Sequence, residues 1–191
     1  MVLRVLIVDD SLGRAADVAG MLVEAGYEVS AALGVSSDWY TAVRRIQPDV
    51  IIIDIESLDR DTLVHLRSIQ RDEPRPIVMF CGDDADETIC TAVKAGVSAY
   101  VVDGLYPRRV KPILQAAVAR FQEFQKLKLE LAKVQSTLAE RKVLERAKGI
   151  LMKQRGLSEE EAYQTLRKLA MNRNKRIFDV AEGVIVAVEL S

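Results

Sequence analysis

Hydrophobic positions in the first hundred residues alternate between short continuous runs and helically spaced sets. Val2–Val8 is an almost unbroken apolar run, typical of a parallel strand buried on both faces. Ala15–Ala25 then has apolar residues at helical spacing and precedes Gly26, a residue suited to ending a helix. The pattern repeats and predicts strands at Tyr27–Ala32, Val50–Asp54, Ile77–Phe80 and Ala99–Val102, with helices at Ser37–Ile46 behind a serine cap, Asp61–Gln70 and Asp86–Ala95. The first 110 residues are therefore predicted to form a doubly wound α/β domain with five parallel strands.

A long uninterrupted helix is predicted after this domain. Between Tyr106 and Gly156 the only prolines are at 107 and 112, in the expected first turns. About 44 residues at 1.5 Å each give a helix roughly 65 Å long. Its apolar residues alternate at spacings of three and four, the pattern of a helix that pairs with another helix: Phe124, Leu127, Leu131, Val134 and Leu138. We expect residues 111–140 to form a coiled-coil homodimer; the alternative is a single helix folded against its own first domain.

The apolar face of this helix changes after Leu138. The next positions at the same spacing are Arg141, Glu145 and Lys148, and charge cannot occupy a dry seam without a partner. The apolar face is therefore predicted to rotate to Leu144, Ala147, Ile150 and Leu151. This rotation frees basic side chains for an anionic partner, namely Arg141, Lys142, Arg146 and Lys148.

Residues 141–191 are predicted to form a small three-helix bundle. Gly156 ends the long helix, and Ser158 with Glu161 forms a capping box for a helix that runs to about Met171. A last helix is predicted at Ile177–Glu189. The shared apolar positions of the two shorter helices are Ala162, Leu166, Leu169, Ala170, Ile177, Val180, Ala181, Val184 and Ile185.

Charge is distributed unevenly between these segments, although the whole chain has a formal net charge of −1. Residues 1–110 hold 11 Lys/Arg against 18 Asp/Glu, a net of −7, whereas residues 141–176 hold 11 against 4, a net of +7. A basic block behind an acidic domain indicates a polyanion partner at the C-terminal end. The alternative is an ordinary solvated helical surface.

Other residue types restrict the function classes. Cys81 and Cys90 have no metal-ligand spacing, so we expect two buried, reduced thiols, as in a cytosolic protein. His65, the single histidine, is expected on a helix surface, which argues against histidine-centred catalysis or metal binding. No apolar run reaches the length of a membrane span, and the first strand begins at residue 2, which leaves no signal peptide. We expect a cytoplasmic protein.

Acidic residues follow the predicted strands at their carboxyl ends, where the ligand sites of such sheets form. They are Asp9 and Asp10 in LIVDD, Asp54 in VIIIDI, and Asp103 in VVDG. These motifs resemble the receiver domain of bacterial response regulators, which implies a flavodoxin-like fold. The resemblance also implies Mg²⁺ at Asp9, Asp10 and Asp54, with Asp54 as the phosphoacceptor. Three converging carboxylates do require a hard divalent cation to coexist.

Two positions depart from the receiver pattern. Cys81 stands where the family has a hydroxyl residue, and Asp103 stands where it has a lysine. A fourth carboxylate would repel a phosphorylated aspartate, whereas a lysine would stabilise it. Tyr100 matches the aromatic switch residue of the family. Our hypothesis is that this domain acts mainly as a docking module; the alternative is a working phosphoacceptor.

The C-terminal segment resembles the ANTAR domain, an RNA-binding antitermination module. The matching residues include Arg141, the run AKGILM from Ala147, and LSEEEAYQTLRKLAMNRNKRIFDVAEGVI from Leu157. The resemblance implies binding to paired stem-loops in a nascent leader RNA, which prevents formation of a terminator. Unpaired loop bases can be read, and phosphates attract Lys and Arg. The predicted RNA-binding residues are Arg141, Lys142, Arg146, Lys148, Gly149, Arg167, Lys168 and Arg173.

Two further interpretations follow from the motifs. Gly149 either lets a nucleotide approach the backbone or allows close helix packing. The VVDG segment resembles NasT-like regulators of nitrate assimilation, which implies a nitrate- or nitrite-sensor protein as the controlling partner.

Alternatives to RNA antitermination are a phosphorylation-switched regulator acting on RNA or DNA and a protein-interaction module without nucleic acid. No catalytic residue is predicted, because no nucleophile with a base and no phosphate-cradling loop is present.

Overall fold

The chain folds as two compact units, Met1–Gln125 and Lys126–Ser191. The computed structural model describes residues 2–102 and 104–189. The strands are β1 (Arg4–Asp9), β2 (Glu28–Gly34), β3 (Val50–Ile55), β4 (Ile77–Cys81) and β5 (Ala99–Val101). The helices are α1 (Leu12–Glu24), α2 (Trp39–Ile46), α3 (Arg60–Asp72), α4 (Asp86–Lys94), α5 (Pro107–Arg155), α6 (Glu159–Arg173) and α7 (Ile177–Glu189).

The five strands of the first unit form one parallel sheet in the order β2-β1-β3-β4-β5. This order is that of a flavodoxin-like doubly wound sheet, so the predicted fold class is confirmed. Strand bounds differ from the predicted ones by one or two residues, because hydrogen-bonded pairing rather than apolar character decides where a strand ends. β1 and β3 are paired so that Asp9 lies opposite Asp54.

The sheet has a hydrophobic core on each face. Neighbouring strand residues point to opposite faces, so Leu6 and Val8 join one core whereas Val5 and Ile7 join the other. Both faces are covered, which explains why β1, β3 and β4 read as continuous apolar runs. The acidic side chains of these strands lie at or next to the carboxyl ends, Asp9 on β1 and Asp54 on β3.

Three local expectations in this unit are corrected. The cap of α2 is Asp38, whose carboxylate accepts a hydrogen bond from the Thr41 amide at 3.1 Å, and not a serine as predicted. His65 is half-buried and stacks on Trp39 with ring centroids 4.8 Å apart, because α2 and α3 are neighbours on the sheet. Cys81 is buried as expected, but Cys90 is exposed because it lies on the outer side of α4.

The helix α5 is continuous over 49 residues, somewhat longer than the predicted 44. Its first turns pack Val110, Leu114 and Ala117 against the second core of the sheet. The division between the two units falls inside α5, within the segment 111–140 that we predicted as a coiled coil. The seam residues are all more than half exposed: Phe124, Leu127, Leu131, Val134 and Leu138.

The second unit is a small bundle formed by the end of α5 with α6 and α7. The rotated face of α5 packs Ala147 and Leu151 into its core, as the sequence predicted. All nine predicted apolar positions of the two shorter helices belong to the same cluster. The capping box is present, since Ser158 and Glu161 exchange side-chain-to-backbone hydrogen bonds at the start of α6. Asn174, in the left-handed conformation, ends that helix.

Within residues 2–102 and 104–189, no helix combines the length and the apolar character needed to cross a bilayer.

Candidate functional site

The acidic residues of the first unit meet at the carboxyl edge of the sheet. Asp9 ends β1 and is fully buried, Asp54 lies opposite it on β3 and is half-buried, and Asp10 is exposed. One Asp9 oxygen, Oδ1, accepts a hydrogen bond from the Ser11 amide at 2.7 Å. Asp10 Oδ2 accepts one from the Glu56 amide at 3.2 Å. The structure therefore brings the three predicted carboxylates to one edge.

Arg14 is the positive charge at this edge, and the sequence interpretation missed it. Its Nη2 donates to Asp9 Oδ1 at 3.2 Å and also to Asp10 Oδ1. Arg14 lies at the start of α1, four residues after Asp10. Opposite charges at this spacing often pair, so the sequence could have indicated this contact. The guanidinium is partly exposed and neutralises two carboxylates that would otherwise repel each other.

The contacts of Asp9, Asp10 and Arg14 determine how well this edge suits the predicted Mg²⁺ ion. Three carboxylates have the right donor chemistry for a hard cation, and Asp9 Oδ2 is buried without a hydrogen-bond partner. However, among the described residues no group of three or more His, Cys, Asp or Glu side chains is arranged to hold a metal ion. Arg14 already binds the two oxygens of Asp9 and Asp10 that face it. In this arrangement the residues fit an internal ion pair better than a metal centre, and Mg²⁺ binding stays a prediction.

Asp54 has a raised pKa in this environment. Burial is the largest cause, repulsion from Asp9 and Asp10 adds to it, and attraction to Arg14 opposes it. The side chain lines a cavity of about 320 Å³ at the edge of the sheet. The other lining residues are Arg14, Ile55, Glu56, Cys81, Gly82, Val102 and Gly104. Asp54 is accessible from this cavity, as a phosphoacceptor or a contact residue would need to be.

Of the predicted switch residues, Cys81 lines the same cavity, and Tyr100 contacts Cys81. The Cys81 thiol donates to the Glu56 carbonyl at 3.6 Å, and the Tyr100 hydroxyl donates to the Asp83 carbonyl at 2.6 Å. Burial, followed by the Cys81 contact, raises the pKa of Tyr100. The hydrogen bond to Asp83 holds Tyr100 against the loop that follows β4. Asp103 lies outside the described residues.

The predicted RNA-binding residues of the second unit are mostly on its surface. Arg146 is exposed, and five others are exposed and make no ion pair with the part of the chain that the structure describes: Arg141, Lys142, Arg167, Lys168 and Arg173. Lys175 and Arg176 extend this basic surface past α6 and were not predicted. The run NRNKR in the turn was the signal that could have found them.

Lys148 differs from this group, and the expectation that it is free of partners is wrong. The side chain is only 10% exposed, and its Nζ lies 2.7 Å from Glu145 Oε1 and 2.6 Å from Glu159 Oε1. The hydrogen bond to Glu145 is the largest cause of a raised pKa of Lys148, and the hydrogen bond to Glu159 is the next. Lys148 in turn lowers the pKa of Glu159. A buried ammonium needs such partners, and Glu159 becomes available because α6 begins beside α5. A role for Lys148 in RNA binding stays a prediction.

Gly149 lies on the exposed side of α5. A Cβ built at this position meets no atom within 4 Å, apart from the backbone of its own helix. Close helix packing therefore does not explain this glycine. Open space beside the backbone is what the predicted approach of a nucleotide requires, although this role also stays a prediction.

Comparisons with known families account for both units. Residues 5–115 match the response regulator receiver domain, and residues 132–185 match the ANTAR domain. The transcriptional regulatory protein PdtaR of Mycobacterium tuberculosis is 32% identical over 182 residues, which cover 95% of this chain and 89% of that protein. The similarity to PdtaR thus extends over both units.

Two further comparisons cover parts of the chain. The nitrate regulatory protein of Klebsiella oxytoca is 36% identical over 88 residues, 46% of this chain and 22% of that protein. The solved structure of a CheY-like response regulator receiver domain protein from Methanospirillum hungatei covers 64% of this chain and 98% of that chain, with a TM-score of 0.55 and 21% identity. At this identity the structural similarity shows the fold of the first unit alone.

The raised pKa of Asp54 predicts a pH-dependent effect of removing its charge. The ionised carboxylate destabilises the folded state, so Asp54→Asn should increase the free energy of unfolding at pH 7 by about 1 kcal/mol or less, because solvent screens this partly exposed group. This increase in the free energy of unfolding should be complete above the raised pKa of Asp54. It should disappear as the pH falls below the ordinary aspartate pKa of about 3.9. Urea unfolding from pH 3 to 8 measures it. Asp17→Asn, which removes an exposed carboxylate of α1, is the control, and an equal gain in both variants would contradict the prediction.

Proposed function

Because this chain belongs to the response regulators that join a receiver domain to a C-terminal ANTAR domain, we propose that it is an RNA-binding transcription antitermination regulator. It binds paired stem-loops in a nascent leader RNA and prevents formation of a terminator. The observation that carries this proposal is the basic surface of the second unit, where five predicted RNA-binding residues are exposed without an ion pair to the described residues. The cytoplasm is where such a regulator meets nascent RNA.

Charge supports a nucleic-acid partner for the second unit. Residues 141–176 have a net charge of +7, and residues 1–110 have a net charge of −7. Phosphate attraction is therefore restricted to the C-terminal end, while the acidic first unit repels the same ligand. Glu159, Glu160 and Glu161 form the first turn of α6, so an RNA is expected to contact the later turns of that helix.

Two stem-loops require two binding surfaces, and the seam on α5 supplies a way to join two copies. Its five apolar residues are between 53% and 63% exposed in a single chain. Burying this stripe against the same stripe of a second copy would remove it from water, as in a coiled coil. Two linked RNA-binding surfaces then bind more tightly than one, because the second surface meets its stem-loop at a high effective concentration. We therefore include a homodimer in the proposal.

The receiver domain acts in this proposal as a regulatory docking module. Cys81 and Asp103 replace the hydroxyl and lysine residues of the family, and Arg14 binds Asp9 and Asp10. These features oppose a stable phosphoaspartate, because the stabilising lysine is missing and Asp103 adds a carboxylate. The cavity lined by Asp54 and Cys81 is the surface that a protein partner would contact in this proposal.

Nitrate or nitrite assimilation genes are the proposed targets. The similarity to the nitrate regulatory protein of Klebsiella oxytoca supports this assignment, together with the VVDG segment of the sequence. The controlling partner is then a nitrate- or nitrite-sensor protein that holds this regulator until the anion is present.

The first experiment is equilibrium binding to an RNA with two hairpin loops of six nucleotides. We expect the full chain to prefer this RNA over loop-scrambled RNA and over duplex DNA of equal length. Arg141→Ala and Arg167→Ala should each weaken binding and lower the salt dependence by about one phosphate contact. Arg108→Ala, which removes an exposed arginine of the first unit, is the matched control.

The competitors distinguish the rival functions. Equal binding to all three nucleic acids would reduce the basic surface to a nonspecific polyanion site. Preference for the duplex DNA would support a DNA regulator. The absence of any nucleic-acid binding would leave a protein-interaction module.

The coiled-coil proposal predicts that one seam residue controls the oligomeric state. Leu131→Asp should convert the dimer to a monomer in sedimentation equilibrium, because a carboxylate in a dry seam is uncompensated. Leu129→Asp is the matched control, since Leu129 is 72% exposed and lies off the seam. Persistence of the dimer in both variants would place the dimer contact elsewhere.

The docking proposal predicts that acetyl phosphate with Mg²⁺ leaves no stable label on Asp54. An unrelated receiver domain labelled in parallel checks the reagent. A stable label that is lost in Asp54→Asn would instead establish a phosphorylation-switched regulator.

A further inference from the structure

Tyr163 is an exposed aromatic residue in the unit that carries the basic surface. It follows Ala162 on α6, at the border of the buried face, and 37% of the residue is exposed. Its hydroxyl and its ring make no hydrogen bond or ring contact with the residues that the structure describes. The other aromatic residue from Lys126 onward, Phe178, is half-buried and carries the Arg176 guanidinium 5.7 Å from its ring centre. Tyr163 is therefore the aromatic ring of this unit that can accept a ligand.

The neighbours of Tyr163 along α6 alternate between charge and apolar surface. Residues four apart are neighbours on a helix surface, so Glu159, Tyr163, Arg167 and Met171 follow one another along a stripe that winds by about 40° per step. Arg167 is exposed and Met171 is 71% exposed. Arg167 makes the stripe positive in its later turns, whereas Glu159 in the first turn is paired with Lys148, which Glu145 also contacts.

The salt bridge between Lys148 and Glu159 also aligns this stripe with α5. It joins the side of α5 that carries Lys148 to the first turn of the Tyr163 stripe. Helical spacing places Arg141 seven residues before Lys148 on that same side of α5. Arg141 on α5 and Arg167 on α6 are both exposed, and neither makes an ion pair with the described residues.

An exposed ring one helical turn before an exposed arginine, Arg167, has the chemistry of a base-stacking site. Every nucleobase has a π face, and aromatic side chains hold the splayed bases of RNA loops by stacking. A guanidinium one helical turn away can bind the phosphate of the same nucleotide. A protein partner would need a larger apolar surface than one ring and one methionine, and the surrounding net charge of +7 favours an anion.

We propose that Tyr163 is the stacking residue of the RNA site, carrying an unpaired loop base while Arg167 binds its phosphate. This inference deepens the proposed function and rests on it. The basic residues supply attraction that is independent of sequence, whereas the ring requires an unpaired base. Tyr163 thus accounts for selection of a loop over a duplex, which the charges alone do not provide.

The test compares four variants of the full chain on the RNA with two hairpin loops. Tyr163→Leu and Tyr163→Ala should raise Kd roughly 5- to 150-fold, which corresponds to the loss of one stacked base. Tyr163→Phe keeps the ring and should bind like the wild type. Tyr106→Ala, which removes an exposed tyrosine of the first unit, is the control and should leave Kd unchanged.

Two further measurements separate stacking from other effects. The salt dependence of binding should be the same in Tyr163→Leu and the wild type, because phosphate contacts remain. A 2-aminopurine placed in the loop should be quenched by the wild type and by Tyr163→Phe but not by Tyr163→Leu. Hydrogen exchange of α6 checks that each variant is folded, and Tyr163→Leu keeps the apolar bulk if Tyr163→Ala unfolds.

The outcomes distinguish this inference from the proposed function. Loop-dependent RNA binding that is unchanged in the folded Tyr163→Leu variant would overturn the role of Tyr163 and leave the antiterminator intact. Equal losses of RNA affinity in Tyr163→Phe and Tyr163→Leu would show that the hydroxyl contacts the RNA and that stacking on the ring does not contribute. A wild type that binds no hairpin RNA would remove both proposals.

Discussion

The periodicity of one helix is the constraint on which both units depend. α5 must bury Val110 and Leu114 against the sheet at its beginning, and Ala147 and Leu151 in the small bundle at its end. Between these stretches it carries an apolar stripe whose residues are all more than half exposed in the described part of a single chain. A helix turns about 100° per residue, so each change of buried face requires a change in the spacing of apolar positions. The charged residues after Leu138 mark such a change.

Each unit contains a buried charged side chain that is paired with side chains of opposite charge. Asp9 has no exposed surface and is neutralised by Arg14, while Lys148 is held between two glutamates. A buried charge without a partner is costly, so each of these residues requires its neighbours to stay in place. Arg14 thereby occupies the acidic edge of the receiver, and the pair formed by Lys148 and Glu159 orients the start of α6. Both ion pairs link local sequence to the shape of a functional surface.

The two units divide the work of a regulator by charge and by surface type. The receiver offers an acidic edge with a cavity lined by Asp54 and Cys81, suited to sensing a partner. The ANTAR bundle offers arginines and one exposed aromatic ring, suited to unpaired RNA. In the proposed function, the opposite net charges would keep the RNA on the ANTAR bundle, because the acidic receiver repels a polyanion.

The sequence alone determined what depends on short-range periodicity and on turn chemistry. The five strands, their alternation with helices, the core of the bundle and the capping box of Ser158 could all be predicted, because apolar spacing and caps act within a few residues. Motifs at the strand ends and in the C-terminal segment also identified the family. Tertiary structure alone decided which side chains meet: Arg14 with Asp9, His65 on Trp39, and Lys148 with Glu159. These contacts depend on how helices and strands pack against one another. For this reason Lys148, which the sequence predicted to be a free cation, is buried between two glutamates.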